Sequence, residues 1–184
     1  STPKERKGLR LEARLTDEYG KEIWKKAEER TVDGNTVVKV WEPELENNPA
    51  TVRFLKTRIT YVSTGLPLDD NTYWFPKGGE RKNLTTLPEA RIVGQMMKGS
   101  NGKYTIDLAN SGSVAAFFDR MKVIRASDVV MLAPVFFDDN YIVLLPGEKK
   151  TVQVDVTSVS SDERNTPLLL HLEGFNLQPA LVRL

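Results

Sequence analysis

The chain has 184 residues, 40% of them hydrophobic, enough for one large domain or two small ones. Lys and Arg number 26 against 25 Asp and Glu, a formal charge of +1, so no basic excess points to nucleic acid as a partner. Without cysteine there are no disulfides, thiolate metal sites or cysteine nucleophiles, and no apolar run nears the roughly 18 residues of a membrane-spanning helix.

In chain order the pattern is that of strands. Lys4, Arg6, Lys7 and Arg10 make a basic start that reads as a solvated arm. Leu9, Leu11, Ala13 and Leu15 alternate with charged residues, the signature of a half-buried strand. Asp17-Glu18-Tyr19-Gly20 is a turn. Lys21–Thr31 favours helix by propensity, but its position after a strand and a turn makes it the second arm of a hairpin. Thr36–Glu42 reads as a strand ended by Pro43, Glu44–Pro49 as a polar loop and Thr51–Ser63 as a long strand. Gly65–Asn71 reads as a loop and Thr72–Phe75 as a short aromatic strand.

Residues 79–88, with Pro88 at their end and Gly78-Gly79 at their start, read as a linker between a first unit at 1–78 and a second at 89–184. The second unit shows seven short strands at intervals of roughly ten residues, the spacing of an immunoglobulin-like sandwich. Leu145-Pro146-Gly147-Glu148 is a type II turn signal, and Val152, Val154 and Val156 form the buried phase of the strand after it. The first unit has about five strands and lacks one or two at its start. The expected fold is therefore all-β: two tandem immunoglobulin-like β-sandwich domains, the first truncated at its N-terminus. Its open sheet edge invites self-association.

The residues alone name no reaction. His171, the single histidine, lies among leucines on a strand and lacks the companions of a triad or a zinc site. Asp-Asp-Asn occurs at 69–71 and 138–140, each time close before a tyrosine, an echo that suggests duplicated units. Such triplets supply part of a calcium shell, but they also cap turns, which is the commoner use. No cofactor or metal is expected. Asp119 shares the strand phase of Phe117, Met121 and Val123 and is expected near a strand end, reached by solvent. Among the aromatic residues, Trp41 shares a phase with Val37, and Tyr104 with Ile106, so both read as core. Trp24 is the best exposed candidate for stacking on a sugar. Asn83-Leu84-Thr85 is a lone glycosylation sequon.

Three strings carry a resemblance. Ala116-Phe117-Phe118-Asp119-Arg120 is followed by Leu132-Ala133-Pro134-Val135-Phe136-Phe137-Asp138-Asp139-Asn140-Tyr141, then by Leu144-Leu145-Pro146-Gly147-Glu148. Together with Glu173-Gly174-Phe175-Asn176 and Asp70-Asn71-Thr72-Tyr73-Trp74, they resemble the C-terminal end of family 2 glycoside hydrolases, in the β-mannosidase and exo-β-glucosaminidase branch. The resemblance implies a fragment: two C-terminal accessory domains that pack against a catalytic (β/α)₈ barrel of the same polypeptide. A barrel needs about 250 residues, so no catalytic residue is carried over. Trp74, Asp138, Asp139, Asn140 and Tyr141 are the candidate substrate-binding residues, with an oligosaccharide as the ligand. At Asp119 the family usually has an apolar residue. A periplasmic or secreted location is what the family implies. The alternatives are a carbohydrate-binding sandwich module and a tandem immunoglobulin-like adhesin.

Overall fold

The computed structural model describes residues 6–45 and 49–183, so Lys4 and part of the Glu44–Pro49 loop lie outside the described residues. The chain divides into two compact units, Ser1–Thr86 and Leu87–Leu184.

The first unit holds one antiparallel sheet, in the order β2-β1-β3-β4. Its strands are β1 (Arg6–Thr16), β2 (Glu22–Val32), β3 (Val52–Tyr61) and β4 (Pro67–Pro76). Leu9, Leu11, Ala13 and Leu15 of β1 stand beside Tyr61, Ile59, Thr57 and Leu55 of β3, and all four β1 residues are buried. The hairpin of β1 and β2 forms despite the helical propensity of β2, because β2 pairs with β1 along almost its whole length. β2 and β4 are the ends of this sheet, where self-association is expected. β2 carries Lys25, Lys26, Glu28, Glu29 and Arg30, and charge of this density blunts strand addition.

Several expectations fail here. Thr36–Glu42 forms no strand, and Val37 is 96% exposed. Its β-branched residues have no neighbouring strand to pair with, and propensity without a partner does not make a strand. Trp41 is accordingly not core beside Val37. It is half-buried, its ring edge-on to Trp24 at 6.1 Å, so Trp24 is not a free platform. The expected loop at Gly65–Asn71 is also shorter than read. β4 begins at Pro67, and Asp69, Asp70 and Asn71 pair in register with Ile59, Arg58 and Thr57. The first Asp-Asp-Asn triplet is thus strand and the second is not.

The second unit is a two-sheet sandwich. One sheet has the order β5-β6-β10-β8: β5 (Ile92–Lys98), β6 (Lys103–Asn110), β10 (Lys149–Asp155) and β8 (Phe136–Phe137). The other has the order β12-β11-β7-β9: β12 (Leu177–Arg183), β11 (Leu168–Gly174), β7 (Ala116–Arg125) and β9 (Ile142–Leu144). Tyr104, Ile106, Leu108, Val152 and Val154 from the first sheet share one core with Met121, Val123, Leu168, Leu170 and Leu172 from the second. Alternation along each strand puts these side chains inside, and their burial is the main stabilising term. Gly147 adopts φ +78° and Glu148 N–H donates to Leu145 O at 3.0 Å, closing the turn signalled by Pro146-Gly147. One helical turn, α1 (Ser161–Arg164), capped by Ser160 Oγ, interrupts the polar loop.

One polar residue organises this core. Asn110 ends β6 and is buried. Its Nδ2 donates to Val114 O and Leu144 O, both at 2.8 Å, while its Oδ1 accepts from Gly112 N–H at 2.9 Å. It ties the end of one sheet to the loop and strand of the other.

Candidate functional site

Four of the five candidate residues fall in the connection between β8 and β9, and three of them are occupied by the fold. Asp138 Oδ1 accepts from Gln153 N–H of β10 at 2.8 Å. Asp139 Oδ2 meets Lys150 Nζ at 2.6 Å. Asn140 serves as a false strand for β7: its Oδ1 accepts from Met121 N–H at 2.9 Å and its Nδ2 donates to Met121 O at 3.2 Å. The same Oδ1 accepts from Tyr141 N–H at 2.9 Å. Side-chain amides and carboxylates in connections often take over backbone pairing in this way.

Tyr141 is different. It is 47% exposed, at φ +57°, a left-handed conformation that costs a non-glycine residue on the order of 1 kcal/mol. Phe118 has a similar backbone, at φ +60°. It lies in a bulge: between Ala116↔Leu144 and Asp119↔Ile142 two residues of β7 face one of β9. Phe118 points outward, at 37% exposure, on the phase opposite Asp119 and Met121, while the bulge leaves Ala116 and Phe117 both buried. The rings of Phe118 and Tyr141 then meet at 5.3 Å between centroids. Phe117 touches Phe118 at 5.5 Å and Phe175 at 5.8 Å, and the Arg120 guanidinium lies 5.8 Å from the Tyr141 ring. Phe118, Tyr141 and Phe175 thus rim an exposed aromatic surface around the buried Phe117.

Gly174-Phe175-Asn176 holds the other side. Phe175 N–H donates to Phe117 O at 2.9 Å. Asn176 Oδ1 accepts from Phe117 N–H at 3.0 Å, and its Nδ2 donates to Pro88 O at 2.7 Å and Ala115 O at 2.9 Å. A Cβ on Gly174 would lie 2.7 Å from Asp119 Oδ1, which is why glycine stands there.

Asp119 corrects the sequence reading. It is on the core phase, as alternation indicates, but it is 0% exposed rather than reached by solvent. Neither carboxyl oxygen has a hydrogen-bond partner among the described residues. Burial pushes its carboxyl from an ordinary 3.8 up to about 7. Alternation aims it inward on the same face as Met121 and Val123, which lie in the core.

Beside this surface, Glu173 is shared by Lys122 Nζ at 2.5 Å and Arg120 Nη1 at 3.2 Å, with His171 Nδ1 at 3.9 Å. The Lys122 hydrogen bond holds the Glu173 carboxyl below its ordinary range, and the Lys122 and Arg120 charges add to the effect. His171 is therefore a half-buried member of a charge cluster. Trp74 lies in the first unit, on β4, 39% exposed and in register with Phe54. Phe118, Arg120 and Phe175 were not singled out as site residues; only the tertiary contacts group them with Tyr141. Among the described residues no group of three His, Asp or Glu is placed to hold a metal ion.

Comparison with known proteins agrees with this architecture. A curated exo-β-D-glucosaminidase of Hypocrea jecorina is 26% identical over an alignment of 203 positions, which covers 95% of this chain and 22% of that protein. The exo-chitosanase CsxA of Amycolatopsis orientalis superposes with a TM-score of 0.78 at 22% identity, over 100% of this chain and 24% of its own. The β-D-mannosidase of Dictyoglomus thermophilum does so with a TM-score of 0.65 at 20% identity, over 96% of this chain and 19% of its own. The chain thus spans about a fifth to a quarter of the length of the proteins it matches, and corresponds to an immunoglobulin-like part of longer polypeptides. Residues 71–177 match the profile of the exo-β-D-glucosaminidase Ig-fold domain, and the chain belongs to that family.

Proposed function

We propose that this chain is the non-catalytic, immunoglobulin-like part of an exo-acting glycoside hydrolase that removes amino sugars from β-linked chains. In this reading it packs against the catalytic barrel of the same polypeptide and stabilises it. The observation that carries the reading is the pairing of coverages: 95% of this chain matches 22% of an exo-β-D-glucosaminidase. The sandwich suits the role. Its core is closed by its own two sheets, while the rim of Phe118, Tyr141 and Phe175 is left to meet something else. Asp138, Asp139 and Asn140 then act by presenting Tyr141, whose exposed ring touches a substrate or the barrel in this reading.

Hydrolysis of 4-nitrophenyl β-D-glucosaminide tests the reading. The 184-residue chain alone is expected to release no nitrophenol. The parent polypeptide is expected to release it, and to lose thermal stability when this part is deleted. Activity of the parent on the β-mannoside alone would move the reading to the other branch. Turnover by the isolated chain would overturn it.

A second reading, a carbohydrate-binding module, is favoured by the exposed Tyr141 and Phe175. Binding of a neutral oligosaccharide by the isolated chain, lost on Tyr141→Ala, would support it over the packing role.

A further inference from the structure

Among the described residues Asp119 is the only buried acid of the second unit, and both of its oxygens are enclosed without a hydrogen-bond partner. An ionised carboxyl in such a place has nothing to offset its loss of water. The charged groups of the neighbouring elements lie elsewhere. On β7 and β11, Arg120, Lys122, His171 and Glu173 stand on the opposite phase and meet one another. β9 carries no titratable residue, and Tyr141 just before it is exposed. Across the core, the inner phase of the facing sheet carries Tyr104, Lys150, which Asp139 engages at 2.6 Å, and Lys98 at the exposed end of β5. The charged residue of β12 is Arg183, the last of that strand.

The rim aromatics adjoin this enclosure. Phe118 directly precedes Asp119. Tyr141 precedes Ile142, the residue paired with Asp119 across the sheet. Phe175 follows Gly174, where a Cβ would lie 2.7 Å from Asp119 Oδ1. The same place is a weak one in the sheet. β9 is an edge strand of three residues, and its pairs with β7, Ala116↔Leu144 and Asp119↔Ile142, stand on either side of the bulge. Phe118 at φ +60° and Tyr141 at φ +57° flank the second pair, and neither is a glycine that takes such a backbone without strain. Parting of Asp119 from Ile142 lets both residues leave the left-handed region and admits water to the carboxyl, for the loss of little pairing.

We propose that the aromatic rim is a proton-controlled device: protonated Asp119 holds the pair with Ile142 closed and Phe118, Tyr141 and Phe175 together, and its ionisation shifts the chain toward an open form in which the pair is parted and the rings separate. The device belongs to the chain itself and holds whatever the rim contacts. In the closed form burial keeps the carboxyl up at about 7, and in the open form water returns it toward 3.8. The closed form therefore binds the proton more tightly. Opening should grow about tenfold per pH unit between about pH 4 and pH 7, roughly a thousandfold in all, and level off above.

The test is amide hydrogen exchange of the 184-residue chain from about pH 5 to about pH 8, each rate being divided by that of an unstructured amide at the same pH. Phe117 N–H donates to Asn176, Met121 N–H to Asn140 and Phe175 N–H to Phe117 O, so these three report the rim. Ile106 and Leu108, on a strand paired on both sides, report unfolding of the whole unit. The rim amides are expected to be less protected than Ile106 and Leu108, and their protection to fall about tenfold per pH unit up to about pH 7 and little beyond. Asp119→Asn, close in shape and without a charge to gain, should hold rim protection constant over the same range. A histidine is the other side chain whose charge can change near neutral pH, and His171→Gln should leave the fall in place. Rim protection equal to that of Ile106 and Leu108 at every pH would overturn the proposal, as would rim protection that does not change with pH in the wild type. A fall that survives Asp119→Asn, or one lost in His171→Gln, would do the same. Were Asp119→Asn not to fold, the wild-type profile and that of His171→Gln would still decide.

Discussion

Two buried acidic residues sit at opposite kinds of place in this molecule. Glu18 is at the turn of a single sheet, tied by Thr51 N–H and next to a cavity rich in acidic groups. Asp119 is at a bulge inside a two-sheet sandwich, with no partner and with apolar neighbours, and its carboxyl titrates at about 7. The difference teaches that burial alone does not decide what an acid does. A carboxyl with one oxygen anchored on a backbone N–H has part of the cost of its burial offset. One without such an anchor keeps its proton up to about neutral pH and behaves until then as a small neutral side chain.

The largest expected effect is the pH dependence of Asp119. Its folded pKa is raised above the unfolded one, so the folded state holds a proton that the unfolded state has released between about pH 4 and pH 7. Stability of the second unit should therefore fall across that window and level off above it, by a total on the order of 4 kcal/mol. Asp119→Asn should match wild type near pH 4, exceed it at pH 8 and flatten the profile. Urea unfolding at a series of pH values measures this, and identical profiles for the two proteins would remove Asp119 from the comparison.

Next come the side chains that stand in for backbone. Asn110→Ala leaves the buried Val114 O and Leu144 O, and the half-buried Gly112 N–H, without their partner, at a cost of about 3 kcal/mol. Gly174→Ala sets a methyl 2.7 Å from Asp119 Oδ1 and 3.0 Å from Leu177 Cβ, and should cost about 1–3 kcal/mol. It should also test the contact between Gly174 and Asp119. If Asp119 gives way to make room, Gly174→Ala will alter the pH profile as well as the midpoint, whereas movement of β12 would shift the midpoint alone.

The smallest effect is on the rim. Tyr141→Gly removes an exposed ring and relieves a left-handed backbone, so it should leave stability within about 1 kcal/mol of wild type. In the parent polypeptide it should nevertheless lower activity or thermal stability, as the contact role proposed for the ring requires. Unchanged behaviour of the parent would return Tyr141 to the status of an ordinary surface residue.

Much of this fold was legible in the residues. Alternation at Leu9–Leu15, Tyr104–Leu108 and Val152–Val156 located strands and their buried faces, because a strand buries every second side chain whatever its neighbours are. Pro146-Gly147 located its turn through local backbone preference. Thr36–Glu42 was not legible, since a β-branched run becomes a strand only where another strand waits beside it. The site was half legible. Asp138–Tyr141 stood out as a motif, but three of its members turned out to be holding strands together. Phe118, Arg120 and Phe175 carry no motif that ties them to Tyr141.

By itself, then, the sequence determined what short-range physics decides: strand periodicity, turn positions, the near-neutral charge, and the strings that tie the chain to its family. The tertiary structure alone decided the rest. A one-residue bulge in β7 leaves Ala116 and Phe117 both buried, a break in alternation that no local motif announces. The approach of Thr51, 33 positions away, leaves Glu18 with one oxygen engaged and one without a donor. Both outcomes depend on which backbone passes close by, and that information resides in the packing of distant segments rather than in any local run of residues.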